Sequence, residues 1–488
     1  MGVKEAELAG LPWDRVWTDR EELEDGVEVN ATEGRAVGHY WLRDPARSST
    51  MGQARGIGDS LDRLRELLDD VVGGRMRADD GQPFTDVIHI GIGGSALGPQ
   101  LLVDALEPFR GGLNVHFVDN TDPDGIARTL ARLGERIRHA MVVVVSKSGT
   151  TLETRNALEL VARAMASRGL EFSGRAVAIT GAGSALDQRA SLEGWAHRFP
   201  LWDWVGGRTS VTSAAGLVTS GLAGIDVEAF LDGARAMDDW TRASDWRVNP
   251  AALLAGCWYG VGQGRGARDM VVLPYSDRLV LLSRHLQQLV MESIGKRHDR
   301  QGEEVLQGLT VYGNKGSTDQ HALVQQIVEG TDDVFVQFVQ VLSDGRGDGA
   351  PIQGAANAGD FLQALMLGTR RALRDQGRPC VTLTLRELNP YTLGGVVALF
   401  ERAVSFYASL IDVNAYDQPG VEAGKTGAQH VITLADRLGA LLDGTPRSAE
   451  ALSETLDADL MEVWSIMERL VETGRAVRHA RGYVRSVP

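Results

Sequence analysis

From residue 87 onward, short apolar runs alternate with stretches of helical period. VIHIGIGG, NVHFVDN, HAMVVVVSKSG and RAVAIT are each rich in β-branched or aliphatic residues and closed by glycine or polar positions. Runs apolar on both faces, separated by helical segments, predict a parallel sheet covered by helices. The rhythm returns in DMVVLPYS, LTVYGNKG, DDVFVQFVQVL and PCVTLTLREL, with helical segments such as RLVLLSRHLQQLVME between them. Two similar α/β domains follow, with a boundary in the helical, tryptophan-bearing stretch 215–250. Ahead of them SLDRLRELLDDVVGG places Leu61, Leu64, Leu68 and Val71 on one helix face and ends in glycines. Beyond residue 444 the pattern becomes two helices, AEALSETLD and LMEVWSIMERLVETG, and a short hairpin, RAVRHARGYVRSV. The expected divisions are 1–80, 81–230, 231–444 and 445–488.

Composition narrows the class. The 488 residues are 43% hydrophobic and 24% charged, enough for two cores and an appendage. A net charge of -15 and a pI near 5.2 argue against a nucleic-acid or anionic-membrane surface, so an anionic ligand must be held by local donors. Cys257 and Cys380 stand far apart and outside metal-ligand spacing, which suits a reducing compartment and inert thiols. An acidic start and the lack of a bilayer-length apolar run make a cytoplasmic location the expectation. Only five of the fifty Lys and Arg residues are lysine: Lys4, Lys147, Lys296, Lys315 and Lys425. A lysine kept in such a background can be one whose compact ammonium matters.

Two glycine- and hydroxyl-rich turns carry the chemistry of anion binding. GIGGSALGP follows a strand, and its Gly91, Gly93 and Gly94 allow a backbone to approach an anion while Ser95 opens a helix. With Asp119 after the next strand it also nearly fits a dinucleotide site. SKSGTTLET gathers Ser146, Lys147, Ser148, Thr150 and Thr151 before a helix starting at Leu152. One helix cap needs one hydroxyl, so this surplus reads as a phosphomonoester cradle and counts against a dinucleotide. In QQLVMESIGK, Glu292 closes a helix that Asp277 caps and Gly295 ends. Its carboxylate then sits at the negative end of the helix dipole, a setting for a general base. Arg208 in a glycine loop is placed to face an oxyanion. His321 in GSTDQHALVQQ and Lys425 in DQPGVEAGK complete the set, though each alone reads as an ordinary core or solvated residue.

Together GIGGSALGP, SKSGTT, VGGR, QQLVMESIGK, the DQH segment and GVEAGK resemble the glucose-6-phosphate isomerase family, in order, from about residue 85 to 440. Few of the family's landmarks are expected before that. The resemblance implies two sugar isomerase (SIS) domains, each a parallel sheet sandwiched by helices, with the site between them in a homodimer and no metal or other cofactor. It implies that Ser95, Ser146, Lys147, Ser148 and Thr151 hold the substrate's phosphate beside Gly94. Gln288 and Gln418 line the sugar, Glu292 moves a proton between C1 and C2, and Arg208 steadies a cis-enediolate. His321, arriving from the partner subunit, and Lys425 serve ring opening.

The terminal helix–helix–hairpin resembles a winged-helix unit. Such units often bind DNA, but the longer helix sets Glu462, Glu468 and Glu472 against Arg469, which favours an interaction or packing module. The alternatives are a dual-specificity phosphoglucose/phosphomannose or amino-sugar isomerase, a winged-helix regulator sensing sugar phosphates, and a dinucleotide oxidoreductase.

Overall fold

Aliphatic side chains on both faces make β1 (Asp86–Ile90) and β3 (Ala140–Val145) wholly buried strands, paired in register at the centre of a parallel sheet. The computed structural model describes residues 4–347 and 349–486. The sheet also holds β2 (Asn114–Val118), β4 (Ala176–Thr180) and β5 (His197–Pro200), in the order β2–β1–β3–β4–β5. Since β2 and β3 flank β1 on opposite sides, the chain reverses its winding at the C-terminal ends of β1 and β3. Such a switch point opens a crevice for ligands.

A second parallel sheet repeats the plan. It contains β6 (Asp269–Tyr275), β9 (Val311–Gly313), β10 (Val334–Val341) and β11 (Cys380–Leu385), ordered β11–β10–β6–β9. Between β6 and β9 lies an antiparallel ribbon of β7 (Lys296–His298) and β8 (Glu304–Gln307). The eight sheet-forming runs foreseen from the apolar pattern are all strands; β5 and the ribbon were not foreseen.

The helix Met51–Val72 buries Ile57, Leu64, Leu67 and Val71, with Leu61 and Leu68 at the margin of that face. The helix Pro390–Leu410 is long and apolar enough to span a bilayer, contrary to the expectation that no such stretch exists. It is 94% buried against Val227–Thr241 and its neighbours, as a core helix is. Buried and half-buried charges knit this bundle. Arg43 binds Asp238 at 2.8 Å and also Glu401, Arg242 binds Glu24 at 2.6 Å, and Arg402 contacts Glu24 and lies 3.8 Å from Asp238. Burial raises the pKa of Asp238, and Arg43 and Arg402 pull it back.

The chain forms two compact units, Met1–Asp417 and Gln418–Pro488. Both sheets lie in the first and share one hydrophobic core, in which Val87 of β1 and Val272 of β6 both take part. The second unit begins ahead of the expected division at 444 and includes the helix Pro419–Leu441. Its Leu434, Leu438 and Leu442 pack with Leu452 of the helix Ala449–Leu456, with Val463 and Met467 of Leu460–Glu472, and with Tyr483. The hairpin β12 (Ala476–His479) and β13 (Gly482–Arg485) closes that unit.

Candidate active site

The turn after β1 depends on two glycines. Gly93 takes φ +57°, and a Cβ on Gly94 would stand 2.0 Å from the carbonyl oxygen of Gly207. The helix Gly94–Ala105 therefore starts directly against the loop that carries Arg208. Beneath it His89 is fully buried, with Nε2 2.7 Å from the Ser95 carbonyl and Nδ1 2.7 Å from Thr219 Oγ1. A carbonyl only accepts, so Nε2 carries the proton. Burial lowers the pKa of His89 to about 4, keeping it a neutral strut under Ser95.

The loop after β3 is shaped by its own hydroxyls. Gly149 N donates to Ser146 Oγ at 3.1 Å, Thr150 N to Ser148 Oγ at 3.2 Å, and Ser146 Oγ to Thr151 Oγ1 at 3.3 Å. Gly149 takes φ +73°, and a Cβ there would meet Leu186 N at 2.3 Å. Thr151 sits at the N-cap of Leu152–Ala166, yet no side chain caps that helix. The hydroxyls are thus not spent on capping, and the positive helix end faces the same loop. Lys147 Nζ donates to Asp203 O at 2.7 Å and Val205 O at 3.0 Å, which ties the loop to the segment leading to Arg208. Burial, then the charge of Arg35, lowers the pKa of Lys147 to about 8.

Glu292 does not end a regular α-helix. The segment divides into a 3-10 turn (Asp277–Leu279), an α-helical turn (Leu282–Leu286) and a π-helical turn (Gln287–Glu292), before the chain leaves helix at Gly295. Asp277 opens the 3-10 turn and pairs with Lys315 at 2.8 Å instead of capping the helix. On the π turn Gln288 Nε2 lies 3.4 Å from both Glu292 carboxylate oxygens. The same nitrogen is 3.1 Å from where a Gly93 Cβ would be, so Gln288 spans from Glu292 to the β1 turn. Arg208 Nη1 donates to Glu292 Oε2 at 2.9 Å, and Nη2 donates to the carbonyls of Ala415 (3.0 Å) and Asp417 (2.7 Å). Burial lowers the pKa of Arg208, and Glu292 opposes that shift.

Sequence reasoning missed the supports. Lys296 is buried, donates at 2.7 Å to the carbonyls of both Glu292 and Asp417, and lies 3.1 Å from Asp417 Oδ1. Its rarity as a lysine was the only signal. Gly94, Arg208, Gln288 and Glu292 are thus joined at one place, and Ser146, Lys147, Ser148 and Thr151 form the adjoining loop. His321 lies exposed on the short 3-10 helix Thr318–His321, and no described hydrogen bond or ion pair links it to that group. Gln418 opens the second unit, and the side chain of Lys425 lies outside the described residues. Asp119 accepts from Gln100 Nε2 at 2.8 Å, an internal partner for the residue a ribose would need. A cavity of about 550 Å³ at the ends of β6 and β10, lined by Arg278, Gln340 and Asp344, contains none of the expected site residues.

Residues 13–440 match a family model described as phosphoglucose isomerase. A glucose-6-phosphate isomerase of Citrifermentans bemidjiense is 52% identical over 432 residues, covering 88% of this chain and 82% of that protein. One from Nostoc punctiforme is 49% identical over 469 residues, covering 95% of this chain and 89% of that protein. The crystal structure of a glucose-6-phosphate isomerase from Chlamydia trachomatis is similar with a TM-score of 0.80 at 31% identity, covering 88% of this chain and 86% of that one. The family match begins well before residue 85, so the amino-terminal segment is part of the family's pattern and not outside it. A match over 95% of the chain must also pass residue 444, so the terminal module is shared with the Nostoc protein at least in part.

Proposed function

This chain belongs to the phosphoglucose isomerase family, and we propose that it interconverts glucose 6-phosphate and fructose 6-phosphate through ring opening and a cis-enediolate, with Glu292 as the proton carrier. The observation that carries the reading is the Arg208–Glu292 pair, set beside Gln288 and the β1 turn. The adjoining loop, with uncapped helix end, hydroxyls and Lys147, is the phosphate cradle of this reading.

The chemistry then runs on the chain's own groups. Once the sugar is open, the Glu292 carboxylate takes the proton from C2. The C–H electron pair forms the C1–C2 double bond, and the carbonyl pair moves onto O1. Arg208 faces that developing negative charge. Return of the proton from Glu292 to C1, with the O2 proton passing to O1 as the C2 carbonyl forms, gives the ketose. Holding the remote phosphate fixes the reacting carbons against one carboxylate.

Ring opening is assigned to Lys425 and to His321 of a second copy in a homodimer. Two facts support that arrangement. His321 is exposed, and its neighbour Gln320 is anchored by a 3.0 Å bond to the Leu365 carbonyl, on a helix whose Phe361 and Leu365 are also exposed. The second unit reads as a winged-helix-like module for assembly or regulation. A cytoplasmic location suits the two free cysteines.

The test is conversion of fructose 6-phosphate by the purified protein with a chelator present and mannose 6-phosphate run in parallel. Rapid formation of glucose 6-phosphate alone supports the reading; equal turnover of mannose 6-phosphate makes the enzyme dual-specific, and no turnover of either removes the proposal.

A further inference from the structure

The segment 30–38 is a strap fastened to two loops of the site. Asn30 and Arg35 exchange backbone hydrogen bonds of 3.2 Å in each direction, closing a tight turn. On one side Thr32 Oγ1 donates to Asp417 Oδ2 at 2.7 Å, and Asn414 Nδ2 donates to Asn30 Oδ1 at 2.9 Å. Those bonds fix the turn to the segment that receives Arg208 and Lys296. On the other side Gly38 N donates to Trp204 O at 3.0 Å, between the two carbonyls that hold Lys147. The turn thus bridges the edge of the cradle and the edge of the reacting group.

What it presents there is an ion pair. Arg35 Nη1 lies 3.3 Å from Glu33 Oε2, which also accepts from Asn30 Nδ2 at 3.1 Å. The two side chains are 40% and 31% exposed. A solvent-facing pair of this kind exchanges partners readily, since its Coulomb gain over hydration is small.

A sugar phosphate brings nearly two negative charges at neutral pH, and the 146–151 loop offers hydroxyls, backbone N–H groups and one cation. That cation, Lys147, has two of its N–H groups committed to carbonyls. Arg35 stands near enough for its charge to act on Lys147, and a guanidinium keeps its proton at every working pH.

We propose that Arg35 is the second cation of the phosphate cradle, held by Glu33 when no substrate is present and passed to the phosphate when substrate arrives. This rests on the reading of residues 146–151 as that cradle. Glu33 then acts as a local competitor of the phosphate, and its removal tightens binding.

The experiment compares Arg35→Ala, Arg35→Lys, Glu33→Gln and Ser148→Ala with wild type, by fructose 6-phosphate kinetics and by inhibition with inorganic phosphate. Arg35→Ala should raise both KM and the phosphate inhibition constant about tenfold, the worth of one charge-assisted bond, with a far smaller change in kcat. Arg35→Lys should recover part of the loss, and Glu33→Gln should lower both constants. If Ser148→Ala raises both constants and Arg35→Ala neither, Arg35 is not a phosphate ligand. A lower kcat at constant KM in Arg35→Ala, or a matching fall in melting temperature, makes it structural and also overturns the proposal. If neither variant moves KM, the cradle itself is misassigned.

Discussion

Arg208 reaches Glu292 through one guanidinium nitrogen at 2.9 Å, while its other terminal nitrogen is held by the carbonyls of Ala415 and Asp417. The guanidinium is buried, and the carboxylate is about 29% exposed. A planar fork with one prong fixed to backbone can only present the other prong in one direction, so the orientation of Glu292 is set by a segment remote in sequence. Lys296 completes the clamp by bonding both the Glu292 and Asp417 carbonyls.

Glu292→Gln should lower kcat by about three orders of magnitude with KM little changed, because it removes the proton carrier and leaves the phosphate anchor. Steady-state kinetics on protein with wild-type circular dichroism is the measurement. Near-normal turnover would end the assignment of Glu292.

Binding should weaken as pH rises through about 8. Burial lowers the Lys147 pKa from 10.5 to about 8, so above that value the folded protein loses the ammonium carried by the phosphate loop. KM should climb there, and bound phosphate should shift the break upward by favouring the charged form. The sign for stability is opposite: between 8 and 10.5 the unfolded chain binds the proton and the folded one does not, so this group's contribution rises with pH. A KM flat from pH 7 to 9.5 would contradict the Lys147 assignment.

Asp238→Ala should destabilise the first unit by about 3–5 kcal/mol, because Arg43 and Arg402 would remain fully buried with less countercharge. A lower thermal midpoint is expected, with the KM of the protein that stays folded unchanged. A midpoint equal to wild type would show that Glu24 and Glu401 suffice.

Removal of residues after 444 should impair the enzyme. Leu434 and Leu438 of the helix Pro419–Leu441, and Leu442 just after it, bury themselves against Leu452, Val463, Met467 and Tyr483, all of which such a truncation deletes. The helix that carries Lys425 would lose its core, so turnover should fall and that helix should become protease-sensitive. Full activity in the truncated chain would show that the helix holds its place unaided.

The fold was legible wherever burial is two-sided. VIHIG, MVVVV, AVAIT and VFVQFVQV announce strands because both faces must be apolar, and the glycine turns after β1 and β3 announce where backbone comes close. HRFP was not legible as β5, nor KRH and EVLQ as a ribbon, because edge and ribbon strands keep polar positions. The apolar spacing of RLVLLSRHLQQLVME is the same for α and π turns to within one residue, so the π turn under Glu292 is invisible in it.

Residue types and local order are properties of the chain itself. They determined the two α/β halves and the hydroxyl-rich loop and pointed to Arg208 and Glu292, while Gln288 entered through the family resemblance. Only tertiary structure decided which groups meet. That Gln288 lies over Gly93, that Lys296 and Arg208 share Asp417, and that Thr32 ties an amino-terminal turn to the same segment are contacts between residues far apart in sequence. No period or motif encodes them, because they depend on how two sheets share a single core. The division at 417 is of the same kind: helix Pro419–Leu441 reads alone as part of either unit, and its packing partners choose.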